Sequence, residues 1–278
     1  VVSALNDSLT RRLIDMVAAR RSLPGGWCWI ALGSEGRMEQ TLATDQDNAL
    51  ILEPGTTEAA RKPYLEFADE VNRGLDACGF PLCKGDIMAR NPKWCLPLEG
   101  WRATFDAWIR NPDPQALLNA AIFFDLRPLA GEAQLAGQLR DGLLAQTASK
   151  PAFLRAIASN ALQVKPPIGL LRDFVTDDSK EFPHTMDLKK LGVRPFVDAA
   201  RVWSLAHRLA STGTAERLRG AAMAGAVPEQ EAADNCAAFH VIQALRLRHQ
   251  HLEQPAAGAE NRIDPDADRR VRELAVES

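Results

Sequence analysis

The apolar positions near the start of the chain recur at helical spacing: Leu5, Leu9, Leu13, Ile14, Met16 and Val17. They predict a helix over about 3–21, stopped by the Pro and Gly of SLPGGW at 22–27. Two short apolar runs follow, WCWIAL at 27–32 and DNALILE at 47–53. Runs of that length between turn residues predict buried strands, and the polar link EGRMEQTLA predicts a short helix or turn. Leu65, Phe67, Ala68, Val71 and Leu75 predict a helix over 57–78. CGFPLCKGDIMARNP reads as a loop with one short strand, and WRATFDAWIRN as a helix. PDPQALLNAAIFFDLRPLAGE begins helically, turns strand-like over 121–127 and ends at Pro128.

The pattern changes after that. From about 132 to 254 it is almost wholly helical, broken at VKPPIG, EFPHTMDLKKLGVRP and AGAVPE. FVDAARVWSLAHRLA and EQEAADNCAAFHVIQALRLRHQHL are the clearest amphipathic segments. The tail from Glu253 starts as a Pro/Gly/Ala linker and is expected to finish in a short helix. The fold class predicted is α+β: a mixed α/β sheet domain over 1–145 with its N-terminal helix, then an all-α helical bundle over 146–278.

Composition narrows the function classes. The chain has 278 residues, 46% of them hydrophobic, enough for a real core. A net charge of −3 lacks the basic footprint of a general nucleic-acid binder. No apolar run reaches the roughly 20 residues that span a bilayer. The N-terminus has no secretory pattern, and Cys28, Cys78, Cys83, Cys95 and Cys236 form no disulfide or zinc spacing. A cytoplasmic protein with buried structural thiols is expected. The chain does not start with Met, as expected of a piece of a longer protein.

The chemistry gathers in ALGSEGRMEQTLATDQDNALIL, 31–52. In an extended segment Asp45 and Asp47 point to one face, and two carboxylates aimed at one point call for a cation between them. Hard oxygen donors suit Mg²⁺. Gly33 and Ser34 stand where a strand gives way to a helix, and backbone N–H groups there suit phosphate oxygens. Asp125, in the apolar run AIFFDLRP, is costly unless paired or metal-bound, which makes it a candidate third acid of a two-metal site. Arg127 two residues later is a candidate phosphate contact.

These residues resemble the signature of the DNA polymerase β nucleotidyltransferase superfamily: a Gly-Ser turn, an acid-x-acid strand some ten residues on, and a later third acid. The longer pattern G-S-x-G-R-x-E-Q with T-D-Q-D-N is similar to protein-PII uridylyltransferase and glutamine-synthetase adenylyltransferase. It is most fully similar to the nucleotidyltransferase module found beside CBS or cyclic-nucleotide-binding domains in bacterial signalling proteins. MARNPKW, FFDLRPLAGE and DLKKLGVRPFVDAARVWSLAHR look like that module's later blocks, so the resemblance spans about 5–250. It implies a nucleotidyltransferase domain over 1–145 and a helical substrate-binding domain over 146–278. It implies Gly33 and Ser34 on the nucleotide phosphates, Asp45, Asp47 and Asp125 as Mg²⁺ ligands, and an NTP as substrate. A protein acceptor or regulatory partner is implied by analogy, with CBS or cyclic-nucleotide domains outside these residues. The rival reading is a catalytically silent module that binds nucleotide and signals to attached domains or a partner.

Several other residues carry two readings each. Arg37 suits a phosphate, with an ion pair to a neighbour as the plainer alternative. Gln40 and Asn48 either position ligands or satisfy backbone groups. Arg90 and Asn91 are candidate substrate contacts, and Lys189 and Lys190 candidate triphosphate contacts against a solvated lysine pair. His249 and His251 sit two apart on a helix, on different faces, and predict no metal site.

Overall fold

The computed structural model describes residues 1–165, 167, 174–177, 179–256 and 258–265. The chain opens with α1 (Val2–Ala18), then β1 (Trp27–Ala31), the single-turn α2 (Gly33–Gly36) and β2 (Asn48–Leu52). After α3 (Lys62–Ala77) come β3 (Cys95–Pro97), α4 (Leu98–Arg110), α5 (Pro114–Phe123) and β4 (Arg127–Gly131). The strand order is β3-β2-β1-β4; β1 is antiparallel to β2 and β4, and β2 is parallel to β3. Pro97 and Pro128 stand in the two edge strands, where a missing N–H costs the ladder least.

Helices cover both sheet faces, which is why β1 and, after Asn48, β2 are runs of apolar residues rather than alternating. Cys28, Ile30, Ala49 and Ile51 pack with Trp101, Phe105, Phe123 and Leu139 on one side. Trp29, Leu50 and Leu52 pack with Ile14, Val17, Tyr64 and Phe67 on the other. Trp101 also donates its indole N–H to the Leu50 carbonyl, tying α4 to β2.

The strand-like stretch expected over 121–127 is corrected. Helix α5 continues to Phe123, capped at its start by the Asp113 side chain on the Ala116 N–H. A turn carries Phe124 and Asp125, and the strand begins at Arg127. The α5 sequence PQALLNAAIF is apolar almost all round, so it shows no helical stripe to tell it from a buried strand.

The rest is mostly helical: α6 (Ala133–Ala148), α7 (Pro151–Ala161), α8 (Arg194–His207), α9 (Thr214–Met223) and α10 (Glu229–Leu252). A short antiparallel ladder pairs β5 (Met186–Asp187) with the distant β6 (Arg262–Ile263), and a π-helix over Leu188–Val193 leads into α8. The expected division at residue 145 falls within α6, which packs on β1 and β4 as well as on α8. The helix expected at the end of the tail lies outside the described residues. Among the described residues, no helix is long and apolar enough to cross a membrane.

Candidate active site

The site is built where β1 ends. The Leu32 N–H donates to the Asp47 carbonyl, carrying the β1–β2 ladder past the strands, and the chain turns at Gly33 with φ +51°. A Cβ on Gly33 would stand 2.8 Å from Asp47 Oδ2, so glycine serves both the left-handed backbone and the approach of the carboxylate. Gly36, at the other end of this turn, has no room for a side chain either: its Cβ would meet the Asp125 carbonyl at 2.1 Å.

Thr-Asp-Gln-Asp-Asn alternates as extended chain must. Gln46 and Asn48 face inward, where both engage Asn72 of α3; Gln46 also donates to the Asn72 and Phe80 carbonyls, and Asn48 accepts the Ala89 N–H. Asp45 and Asp47 face the other way. Their oxygens and the Cys83 sulfur lie within 4.8 Å of one another. Cys83 Sγ is 3.5 Å from Asp47 Oδ1. Burial, and then the charge of Asp45, push the Asp47 carboxyl up to about 6, against the pull of Cys83, Lys189 and Arg37. Acidic donors that repel one another at a shared point are a set that could hold a divalent cation.

The sign of that shift gives a prediction. A carboxyl raised in the folded state contributes most below about pH 4, and that contribution is lost as pH rises through about 6. Metal-free Asp47→Asn is therefore expected to melt higher than the parent at pH 7, and to lose that advantage near pH 4. Added Mg²⁺ should raise the parent and not the variant. Thermal melts across pH, with chelator and with Mg²⁺, read this.

Several expected contacts are corrected. Asp125 is fully buried and does not join the Asp45–Asp47 donor group. Its Oδ2 receives Arg37 Nη1 and Arg201 Nη2, each at 2.6 Å, and its Oδ1 receives Arg217 Nη1 at 2.6 Å and Arg201 Nε at 3.1 Å. Burial alone would raise this carboxyl; Arg201, Arg217 and Arg37 overcome that and hold it well below the usual carboxylate range. Both oxygens are thus occupied without a metal. Arg127 is not free for phosphate: it makes a two-point pair with Asp7 of α1, both contacts at 2.8 Å, and donates to the Glu35 carbonyl. Arg37 is held by Glu39 and Asp125, the ion-pair alternative. Arg90 pairs with Asp69, and the Asn91 side chain anchors Asp86. Both lysines are exposed; Lys189 is close enough to act on Asp47, and Lys190 lies beside the Asp187 cap of the π-helix.

The GSEGRMEQ motif therefore has two jobs. Gly33 shapes the acid site, while Gly36, Arg37 and Glu39 dock the helical half: Thr212 donates to the Gly36 carbonyl, and the Thr214 N–H to Glu39. Sequence reasoning missed Arg201 and Arg217, although an arginine on the apolar face of FVDAARVWSL is the signal of a buried partner. It also missed Glu35, which is buried, has no side-chain hydrogen bond among the described residues, and is raised to about 8 by burial and by Asp7.

Residues 1–115 match the family model described as "Putative nucleotidyltransferase DUF294", and 151–269 match "Putative nucleotidyltransferase substrate binding domain". Together the two matches support a nucleotidyltransferase-like protein. No curated protein matches it.

Proposed function

We propose, for a chain whose halves match a nucleotidyltransferase and its substrate-binding domain, that it moves a nucleoside monophosphate from an NTP to an acceptor hydroxyl, with Asp45 and Asp47 holding the required Mg²⁺. One observation carries this reading: the two acids converge against a glycine turn that leaves no side chain between them and the β1 end. A bound Mg²⁺ would neutralise charge developing on the phosphates. Gly33 and Ser34 would present backbone to the phosphates, and Lys189 would add positive charge beside Asp47. Catalysis would be mostly positioning. An acceptor on a regulatory protein, of the uridylyl- or adenylyltransferase kind, is the extension by analogy.

Asp125 favours a second reading. With both its oxygens held by arginines, the third acid expected to activate the incoming hydroxyl is spoken for. A silent nucleotide-binding module would need only Asp45 and Asp47. Incubation with labelled ATP, CTP, GTP and UTP, Mg²⁺ and candidate acceptors separates the two. Transfer lost in Asp45→Asn supports the enzyme; nucleotide binding without transfer under every condition supports the module.

Gly33→Ala tests the turn itself. The left-handed backbone costs about 1 kcal/mol for a side chain, and the displaced Asp47 is expected to lower transfer about 10²-fold. A melt and a rate on the same sample measure both.

A further inference from the structure

We infer that Cys83 is a third ligand of the cation held by Asp45 and Asp47, so that the site is a mixed oxygen–sulfur centre with more affinity for borderline cations such as Co²⁺ or Zn²⁺ than Asp45 and Asp47 alone would give. This rests on the reading of those two acids as metal ligands.

The sulfur is placed, not incidental. Cys83 opens a tight turn closed by the Asp86 N–H on its own carbonyl, 2.9 Å, with Asp86 in the left-handed region at φ 53°. That turn is pinned from outside: the Asn91 side chain and the Trp94 indole N–H both donate to the Asp86 carbonyl. Its exit is pinned to the acid segment itself, because the Asn48 N–H donates to the Ile87 carbonyl at 3.1 Å. Burial, and then the charges of Asp47 and Asp45, push this thiol up to about 11, against the pull of the Ile87 and Gly85 backbone N–H groups beside the sulfur. Opposite them stands Asp47 Oδ1 at 3.5 Å. A core-filling thiol would need neither the amides nor the carboxylate. The remaining cysteines differ: Cys28, Cys95 and Cys236 are buried, and Cys78 is exposed.

The ligand choice follows from donor chemistry. Two carboxylates alone suit Mg²⁺, which demands oxygen; one thiolate adds selectively to borderline and soft ions. On binding, the Sγ–H bond is replaced by a metal–sulfur bond and the proton leaves to solvent.

The test uses the whole chain, stripped of metal and titrated with Co²⁺, whose thiolate complexes absorb in the near ultraviolet. The parent and Cys78→Ser should show the sulfur-to-cobalt band; Cys83→Ser should lose it. Cys83→Ser should also lower Co²⁺ affinity relative to Mg²⁺ by about 10-fold or more, a loss of the size that disturbed ligand shells give. A parent without the band, or a band that survives Cys83→Ser, overturns the inference. If Cys83→Ser leaves the Co²⁺ to Mg²⁺ ratio unchanged while Asp45→Asn loses Mg²⁺ binding, the sulfur role fails and the acid site stands. If Asp45→Asn with Asp47→Asn leaves both ions bound as before, both readings fall together.

Discussion

Asp125→Ala is expected to destabilise the fold by about 3–5 kcal/mol, the usual consequence of removing one partner from a buried charge cluster. Arg201 and Arg217 are almost wholly buried, and Asp125 entirely so. Taking away the carboxylate leaves three guanidiniums facing one another with little water. Arg201 keeps Asp198 at 2.6 Å and Arg37 keeps Glu39 at 2.7 Å, so the network is weakened rather than emptied. Because the cluster joins the turn after α5 to α8 and α9, the loss should also loosen the docking of the helical half on the GSEGRMEQ loop. Asp125→Asn keeps the shape and loses the charge, and should fall short of the parent by a smaller margin. The pH dependence has the opposite sign to that of Asp47. A carboxyl depressed in the folded state stabilises fully above its unfolded value, near pH 4, and the contribution drains away as pH falls further. Denaturant melts at pH 7 and below pH 4 measure this: the gap between parent and Asp125→Ala should narrow in acid.

The second large effect lies at the other acids. Asp45→Asn and Asp47→Asn are each expected to lower transfer by about 10²–10³-fold, the scale for removing a group that stabilises charge in a transition state. Unlike Asp125→Ala, neither should lower stability, because Asp45 is exposed and Asp47 is held at a cost to the metal-free fold. Paired rate and melting measurements on the three variants separate the acids into those that hold the molecule together and those that act. Asp125→Asn that folds as well as the parent but loses all transfer would return Asp125 to the site.

The line between legible and illegible features follows sequence distance. β1, β2 and the acid pair announce themselves locally, through short apolar runs and an i, i+2 spacing. Gly33 is legible too, because a turn must separate those runs. The fate of Asp125 is not, since its partners lie 88, 76 and 92 residues away at Arg37, Arg201 and Arg217. The run AIFFDLRP told correctly that an acid there must be compensated; it held no information on whether cation or arginine does so. Arg127 was misread for the same reason, with Asp7 lying 120 residues before it. Cys83 sits in a loop whose turn residues are plain in the sequence, but only the folded backbone brings its sulfur to Asp47.

Whether the turn at Gly33 and the acids Asp45 and Asp47 serve nucleotidyl transfer is decided by following the label. The chain is incubated with Mg²⁺ and candidate acceptors in parallel with an NTP labelled at the α-phosphate and one labelled at the γ-phosphate. The α-label is expected to become attached to acceptor while γ-label leaves as pyrophosphate, and both events should vanish in Asp45→Asn. Acceptor carrying γ-label, or α-label transfer undiminished in Asp45→Asn, would contradict that role.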